Sequence, residues 1–414
     1  MKNSLDKIVS LVKGRNPLLS EKETLCLYPS INVMMTANGK YKPCCKWVDT
    51  LHHNGEELQA PKHTIEDAWN SSELIDLRKQ LQLGKKPSKC NVCWKEEENG
   101  IRSMRFDSFS YRPSKESVAK PVAPIRLDIY PSNICNLKCR ICSPEYSTKW
   151  IPEAKETLGI DEETHLNLNK DNLDILKTWL PNVVEIGLFG GEPLFMKETL
   201  MLMDYCVENG YSKNITLLIN TNGTIYSDKL MKVFSAFKRA LINFSIDDCG
   251  ERFEYQRSGA VWQNVERNIQ SYLINKEKFG GDGIEYKMCC TVSAINVYYL
   301  PEYLLWVSKT FPSMRVYLNF LHGPYSLAMR NLPDEVKKKV AEKLTNSQDS
   351  LQVKFEEGVT RTWDNVLDML NAPAEQSSNQ FFEEIERGDA YRKESFQEVF
   401  PEYWKLLQPF LVTR

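Results

Sequence analysis

Long apolar runs are missing from this 414-residue chain, and none approaches the length that a bilayer-spanning helix needs. The N-terminal Met1-Lys-Asn-Ser-Leu-Asp-Lys7 has no apolar core followed by a small-residue cleavage site, so a secretory signal is not expected. Neither sign of charge dominates. A balance of 53 basic against 55 acidic residues leaves a formal net charge of −2 and no electrostatic footprint for nucleic acid or an anionic membrane. No internal repeat or low-complexity tract breaks the chain. What remains is a length sufficient for two or three domains, ordinary apolar content and an expected cytoplasmic location. In a reducing compartment, twelve cysteines point to metal binding or redox chemistry more than to disulfides.

Three of those cysteines fall within eight residues, Cys135-Asn-Leu-Lys-Cys139-Arg-Ile-Cys142. Three thiolates from one loop suit an iron–sulfur cluster with one iron left open. A closed structural site would want a fourth ligand nearby, and none lies within forty residues on either side. The same spacing is also one face of a helix, but Pro131 before the run and Pro144 after it argue against a long helix here.

Around this loop the chain divides by pattern. Residues 1–20 read as a leader, 21–110 as a cysteine- and tryptophan-rich module of the kind that a metal holds together, and the proline-bearing 111–124 as a linker. From 125 to 325 strand-like runs (125–130, 183–189, 215–220, 241–246, 286–293, 315–320) alternate with helical ones near 171–180, 196–209, 228–238, 262–278 and 299–309. That alternation predicts an α/β fold with a parallel sheet, and six strands fit an open, partial (βα)6 TIM-like barrel. Residues 326–414 read as a helical C-terminal cap with a loop near 372–379, packed through Trp363, Phe381, Phe382, Trp404 and Leu407.

In parallel αβ folds functional groups gather at the carboxyl ends of the strands. Here those ends carry Gly190-Gly191-Glu192-Pro193, then Asn220 and Asn222, then Ser245 and Asp247, then Ser293. Each taken singly is also a plain cap or turn residue; together they look like one site for a polar ligand. Further upstream, a hairpin turning at Asn38-Gly39 would bring Cys26 and Cys44 together, and Cys90-Asn-Val-Cys93 would close a four-thiolate site. Adjacent residues on a strand face opposite ways, so Cys44 is preferred to Cys45 as the ligand. By spacing alone zinc and iron–sulfur are equally suited to that site. His52, His53 and His63 are expected to face solvent, Cys206 and Cys249 to be buried, and Cys289 and Cys290 to pack with one of them facing the barrel interior. Residues 94–105 read as a solvated charged helix or a tie between module and barrel.

The three-cysteine loop after the first strand and Gly-Gly-Glu-Pro after the second, in that order over residues 125–325, resemble the radical S-adenosylmethionine superfamily. The resemblance implies that Cys135, Cys139 and Cys142 hold three irons of a 4Fe–4S cluster whose fourth iron binds S-adenosylmethionine (SAM). It further implies that Gly190, Gly191 and Glu192 hold the methionine amino group, that Ser245 and Asp247 meet the ribose, and that Arg257 meets the carboxylate as a bidentate partner. Ile141 stands where the family often has an aromatic residue, and an aliphatic side chain can pack there against cluster and adenine. The N-terminal cysteines are similar to the Twitch module, a half-version of the SPASM domain. That implies a second 4Fe–4S cluster on Cys26, Cys44, Cys90 and Cys93, although the module commonly follows the radical core and here precedes it. The implied enzyme abstracts a hydrogen atom from a peptide or small-molecule substrate. With a second cluster to take an electron it completes an oxidation or crosslink, and it draws on a donor such as flavodoxin or ferredoxin. A structural zinc in the N-terminal site, or a non-enzymatic zinc-binding adaptor, is the alternative.

Overall fold

The computed structural model describes residues 24–98, 102–111, 121–165, 173–321, 323–348, 354–355 and 363–411. The expected leader and most of the expected linker lie outside the described residues. The chain forms two compact units: Met1–Asn133, His165–Ile219 and Lys232–Leu241 in the first, and Ile134–Thr164, Asn220–Met231 and Ile242–Arg414 in the second. In chain order the strands are β1 (Asn32–Met35), β2 (Tyr41–Lys42), β3 (His52–His53), β4 (Glu56–Glu57), β5 (Arg126–Ile129), β6 (Lys138–Cys139), β7 (Glu185–Leu188), β8 (Thr216–Thr221), β9 (Arg239–Ser245), β10 (Arg257–Ser258), β11 (Ile284–Val292), β12 (Arg315–Phe320) and β13 (Lys354–Phe355).

In the first unit β5 and β7 pair in parallel with Leu127 opposite Ile186, and β7 pairs in parallel with β8, Ile186 opposite Leu217. The cysteine-rich segment joins this sheet. β1 pairs in parallel with β5, Val33 opposite Leu127, and antiparallel with β2. Nothing in Asn32-Val-Met-Met35 signals this pairing, because four residues are too short for a period to register. Gly39 turns the β1–β2 hairpin at φ +81°, a left-handed conformation that a side chain resists. In the second unit β11, β12 and β13 are neighbours in that order, and β12 pairs in parallel with both β11 and β13.

Period-two alternation builds this sheet. Met288, Cys290 and Val292 of β11 are fully buried, whereas Lys287, Cys289 and Thr291 on its other face are only half-buried. β9 repeats the pattern: Ile242 and Phe244 are buried, Asn243 and Ser245 half-buried. Each fully buried side chain of that size stabilises the fold by roughly 1.5–3 kcal/mol. The expected helices form at Lys197–Glu208, Asp228–Ser235, Trp262–Ile274 and Leu300–Thr310. Of the one near 171–180, Leu173–Lys177 is helical among the described residues, and a 3-10 turn carrying Pro181 follows. The C-terminal region is helical, with helices including Asp334–Ser347, Trp363–Leu370, Asn379–Arg392 and Pro401–Leu407. Trp363, Phe381, Phe382 and Leu407 are buried there; Trp404 is half-buried.

Two expectations are corrected. Cys249 is half-buried, on the turn after β9, where only Cys206 of the pair lies in the core. The described parts of the segment 94–105, residues 94–98 and 102–105, are largely buried and not solvated. The helix Asn91–Glu98 buries Trp94 and Glu96, and Arg105 is buried against Glu97 at 2.7 Å while donating to the Leu25 carbonyl at 2.7 Å. Desolvating a guanidinium is costly, and this pairing offsets it.

Candidate metal centres

The cysteine loop of the second unit is not helical. Its middle is the two-residue strand β6, paired antiparallel with β10 so that Cys139 lies opposite Arg257. The loop is tied down locally. The Cys142 amide donates to the Cys139 carbonyl (3.0 Å), the Trp150 indole to the same carbonyl (2.7 Å), and the Ser147 hydroxyl to the Leu137 carbonyl (2.5 Å). Burial pushes the Cys142 thiol up, and neighbouring Cys139 and Cys135 push it further. Burial also raises the Cys139 thiol, against the pull of Arg257.

Arg257 is buried and not a surface residue. Its Nη1 donates to Cys139 Sγ at 3.7 Å and its Nη2 lies 2.7 Å from Asp247 Oδ2. That ion pair is close but off-axis: the buried Asp247 Oδ2 and Arg257 Nε have no hydrogen-bond partner. Asp247 Oδ1 accepts from the Thr291 amide at 2.8 Å, which ties the end of β9 to β11. Ser245 is half-buried at that same end, and Ile141 is half-buried between the second and third cysteines. Asn222 donates to Asn136 Oδ1 (2.9 Å) on the cysteine loop and accepts from the Thr224 amide (3.0 Å); Asn220 accepts from Asn243 (2.9 Å). Ser293 is fully buried and accepts from the Ile295 amide, which is local turn chemistry. Cys289 is half-buried and Cys290 buried, so one of the doublet faces each side of β11.

The Gly-Gly-Glu-Pro segment belongs to the first unit. Gly190 has φ +102°, and a Cβ there would lie 2.6 Å from the Ser132 carbonyl, so only glycine fits. Gly191 donates to that carbonyl at 3.1 Å. Glu192 is buried and its Oε1 accepts from the Leu194 amide at 3.0 Å, capping the 3-10 turn that begins at Pro193.

The first unit also holds a pocket lined by Cys26, Cys44, Cys90 and Cys93, with apolar groups such as Tyr28, Leu77 and Trp94 beside them and Lys46 and Arg105 as its cations. Burial pushes the Cys26 thiol up to about 11, with Arg105 opposing, and the Cys90 thiol up to about 12. Cys44 is raised by burial first and then by Cys45, Cys26, Cys93 and Cys90. The strand premise for choosing Cys44 over Cys45 is corrected: both follow β2 in a turn. The turn nevertheless separates them, because Cys45 is exposed and its sulfur lies 3.3 Å from Met104 Sδ. His52 and His53 form β3, and none of His52, His53 or His63 lines the pocket.

Four sulfurs around an apolar hollow, with cations on the wall, fit an anionic cluster. Among the described residues no three Cys, His, Asp or Glu groups already converge on one point as ion ligands. The three-sulfur loop, with a buried cation beside it and unmatched polar atoms on Asp247 and Arg257, fits a cluster that carries a polar ligand.

Known proteins carry the same pieces. Residues 129–277 match the Radical SAM superfamily, and residues 26–94 match SPASM, described as an iron–sulfur cluster-binding domain. A GTP 3′,8-cyclase 3 from Mycobacterium bovis is 30% identical over 137 residues, covering 33% of this chain and 33% of that protein. A 7-carboxy-7-deazaguanine synthase from Halobacterium salinarum is 30% identical over 94 residues, 23% of this chain and 30% of that one. The chain thus spans about a third of the length of these curated relatives. Among solved structures, Streptococcus suis SuiB bound to S-adenosylmethionine aligns at 16% identity and a TM-score of 0.40, over 67% of this chain and 64% of that one.

Proposed function

We propose, from the premise that this chain carries a radical S-adenosylmethionine domain behind an iron–sulfur cluster-binding SPASM domain, that it is an oxidoreductase acting by hydrogen-atom abstraction. A 4Fe–4S cluster with SAM on its open iron supplies a 5′-deoxyadenosyl radical when both are bound. Cys135, Cys139 and Cys142 would hold that cluster through three irons. Arg257 balances the thiolate charge at Cys139 and offers a guanidinium edge to the SAM carboxylate. Gly190, Gly191 and Glu192 would take the amino group, Ser245 and Asp247 the ribose, and Asn220, Asn222 and Ser293 would shape the surrounding loops. Ile141 would pack against the adenine.

Cys26, Cys44, Cys90 and Cys93 would hold a second 4Fe–4S cluster with every iron ligated by protein. Such a cluster has no open corner for SAM and suits electron acceptance. A substrate that has lost a hydrogen atom must lose one more electron to become an oxidised product, so the reading extends to dehydrogenation or crosslinking of a peptide or small molecule. A flavodoxin or ferredoxin would deliver the priming electron.

The observation that carries this reading is the three-sulfur loop with Arg257 buried against Cys139. Anaerobic reconstitution followed by iron analysis tests it: about eight irons per chain and 5′-deoxyadenosine on reduction with SAM are expected. Colourless, zinc-loaded protein that leaves SAM intact would refute it.

A further inference from the structure

We propose that Arg392, with Asp389 and Glu394, positions the iron-bearing cysteine loop, so that the C-terminal helix Asn379–Arg392 belongs to the cluster site. The inference rests on the reading that Cys135, Cys139 and Cys142 hold a cluster. These three residues lie outside both matched segments, 26–94 and 129–277.

The contacts converge on the cysteine loop from behind. The Arg392 side chain is buried, pairs with Glu153 at 2.9 Å, and donates to the Lys138 carbonyl (2.8 Å) and the Ser258 hydroxyl (2.9 Å). Lys138 and Ser258 are the opposed residues of the β6–β10 ladder, next to the Cys139–Arg257 pair. One guanidinium therefore bridges both strands of the ladder that sets Arg257 against the cysteine sulfur. Two residues of pairing are too few to hold a register unaided.

Arg140, which lies between the second and third cysteines, is gripped by the same segment. Its Nη2 lies 2.6 Å from both Asp389 Oδ1 and Glu394 Oε2, and its guanidinium stacks over Tyr255 at 3.7 Å from the ring centroid. The Tyr255 hydroxyl donates to Asp389 at 2.7 Å. Gly388 makes the approach possible: a Cβ there would sit 2.6 Å from Arg140 Nη1. Buried ion pairs add little net stability, because desolvation cancels most of the Coulomb gain, and their best-attested use is to specify one arrangement over others. A charge network this dense behind a ligand loop reads as a device for geometry.

The test uses the full reconstituted chain and compares wild type with Arg392→Met, Arg392→Lys and Asp389→Asn. The readouts are iron content, melting temperature, the EPR spectrum of the reduced protein with and without SAM, and the rate of 5′-deoxyadenosine formation. Arg392→Met is expected to keep its iron, to change the EPR response to SAM, and to lose roughly ten- to a hundredfold in rate, as outer-shell groups at metal sites do. Arg392→Lys should recover part of that rate by keeping the charge against Glu153. An unaltered EPR response and rate in Arg392→Met overturns the proposal. If that variant does not fold, Asp389→Asn decides the matter in the same way, since it keeps side-chain shape and removes the charge facing Arg140. Wild type that takes up no iron refutes the earlier reading instead, so the two failures are distinguishable.

Discussion

At the scale of single residues, the proposed assignment gives the two groups of thiols separable roles. Replacing Cys135, Cys139 or Cys142 with Ala should lower iron from about eight to about four per chain and abolish 5′-deoxyadenosine formation. Cys44→Ala should remove about four irons, whereas Cys45→Ala should leave the count unchanged, since Cys45 is exposed and is not among the residues that line the pocket. Iron loss in Cys45→Ala but not in Cys44→Ala would reverse the ligand assignment. Asp248 provides a pH signature. Burial raises its carboxyl from an ordinary 3.8 to about 6, against the pull of Arg252. The folded state thus binds the proton more tightly than the unfolded state, and this group's contribution to stability falls as pH rises from about 4 to about 6. Relative to wild type, Asp248→Asn should gain stability across that window, read as diverging urea midpoints at pH 4 and pH 6.5. Parallel midpoints would show that Asp248 titrates normally.

At the scale of elements, the β1–β2 hairpin places Cys44 in its pocket and depends on Gly39. A Cβ on Gly39 would lie 2.9 Å from the Ala60 carbonyl, in addition to the strain of φ +81°. Gly39→Val should therefore cost about 1–3 kcal/mol of stability, seen as a lower denaturant midpoint, and should weaken iron retention in the N-terminal site. The strands and most helices of residues 125–325 were readable because alternation with period two and period 3.6 is written locally. β1 and the β6–β10 ladder were not. They are two to four residues long, and their partners lie far away in sequence, Arg257 being 118 positions from Cys139. The same distance concealed Asp389 and Arg392, whose charged segment looks like any solvated helix until its partners are known.

At the scale of the whole molecule, the N-terminal segment is bound into the sheet. β1 covers the edge of β5, where Leu127 and Ile129 are buried. A chain starting at residue 121 would leave that edge bare, so it should aggregate more readily on expression than the full chain. A monodisperse truncated protein in size-exclusion chromatography would argue against the pairing. No helix among the described residues is long and apolar enough to cross a membrane.

Ligand chemistry was legible from the chain alone, because only a few residue types bind iron and their spacing along a loop limits which can share a cluster. So was the strand–helix alternation, which each segment encodes for itself. Folding was needed to separate Cys44 from Cys45, to bury Arg257 beside a sulfur, and to bring Arg392 behind the cysteine loop. Those outcomes depend on long-range packing and on charges that must find partners once water is removed, and neither leaves a local trace.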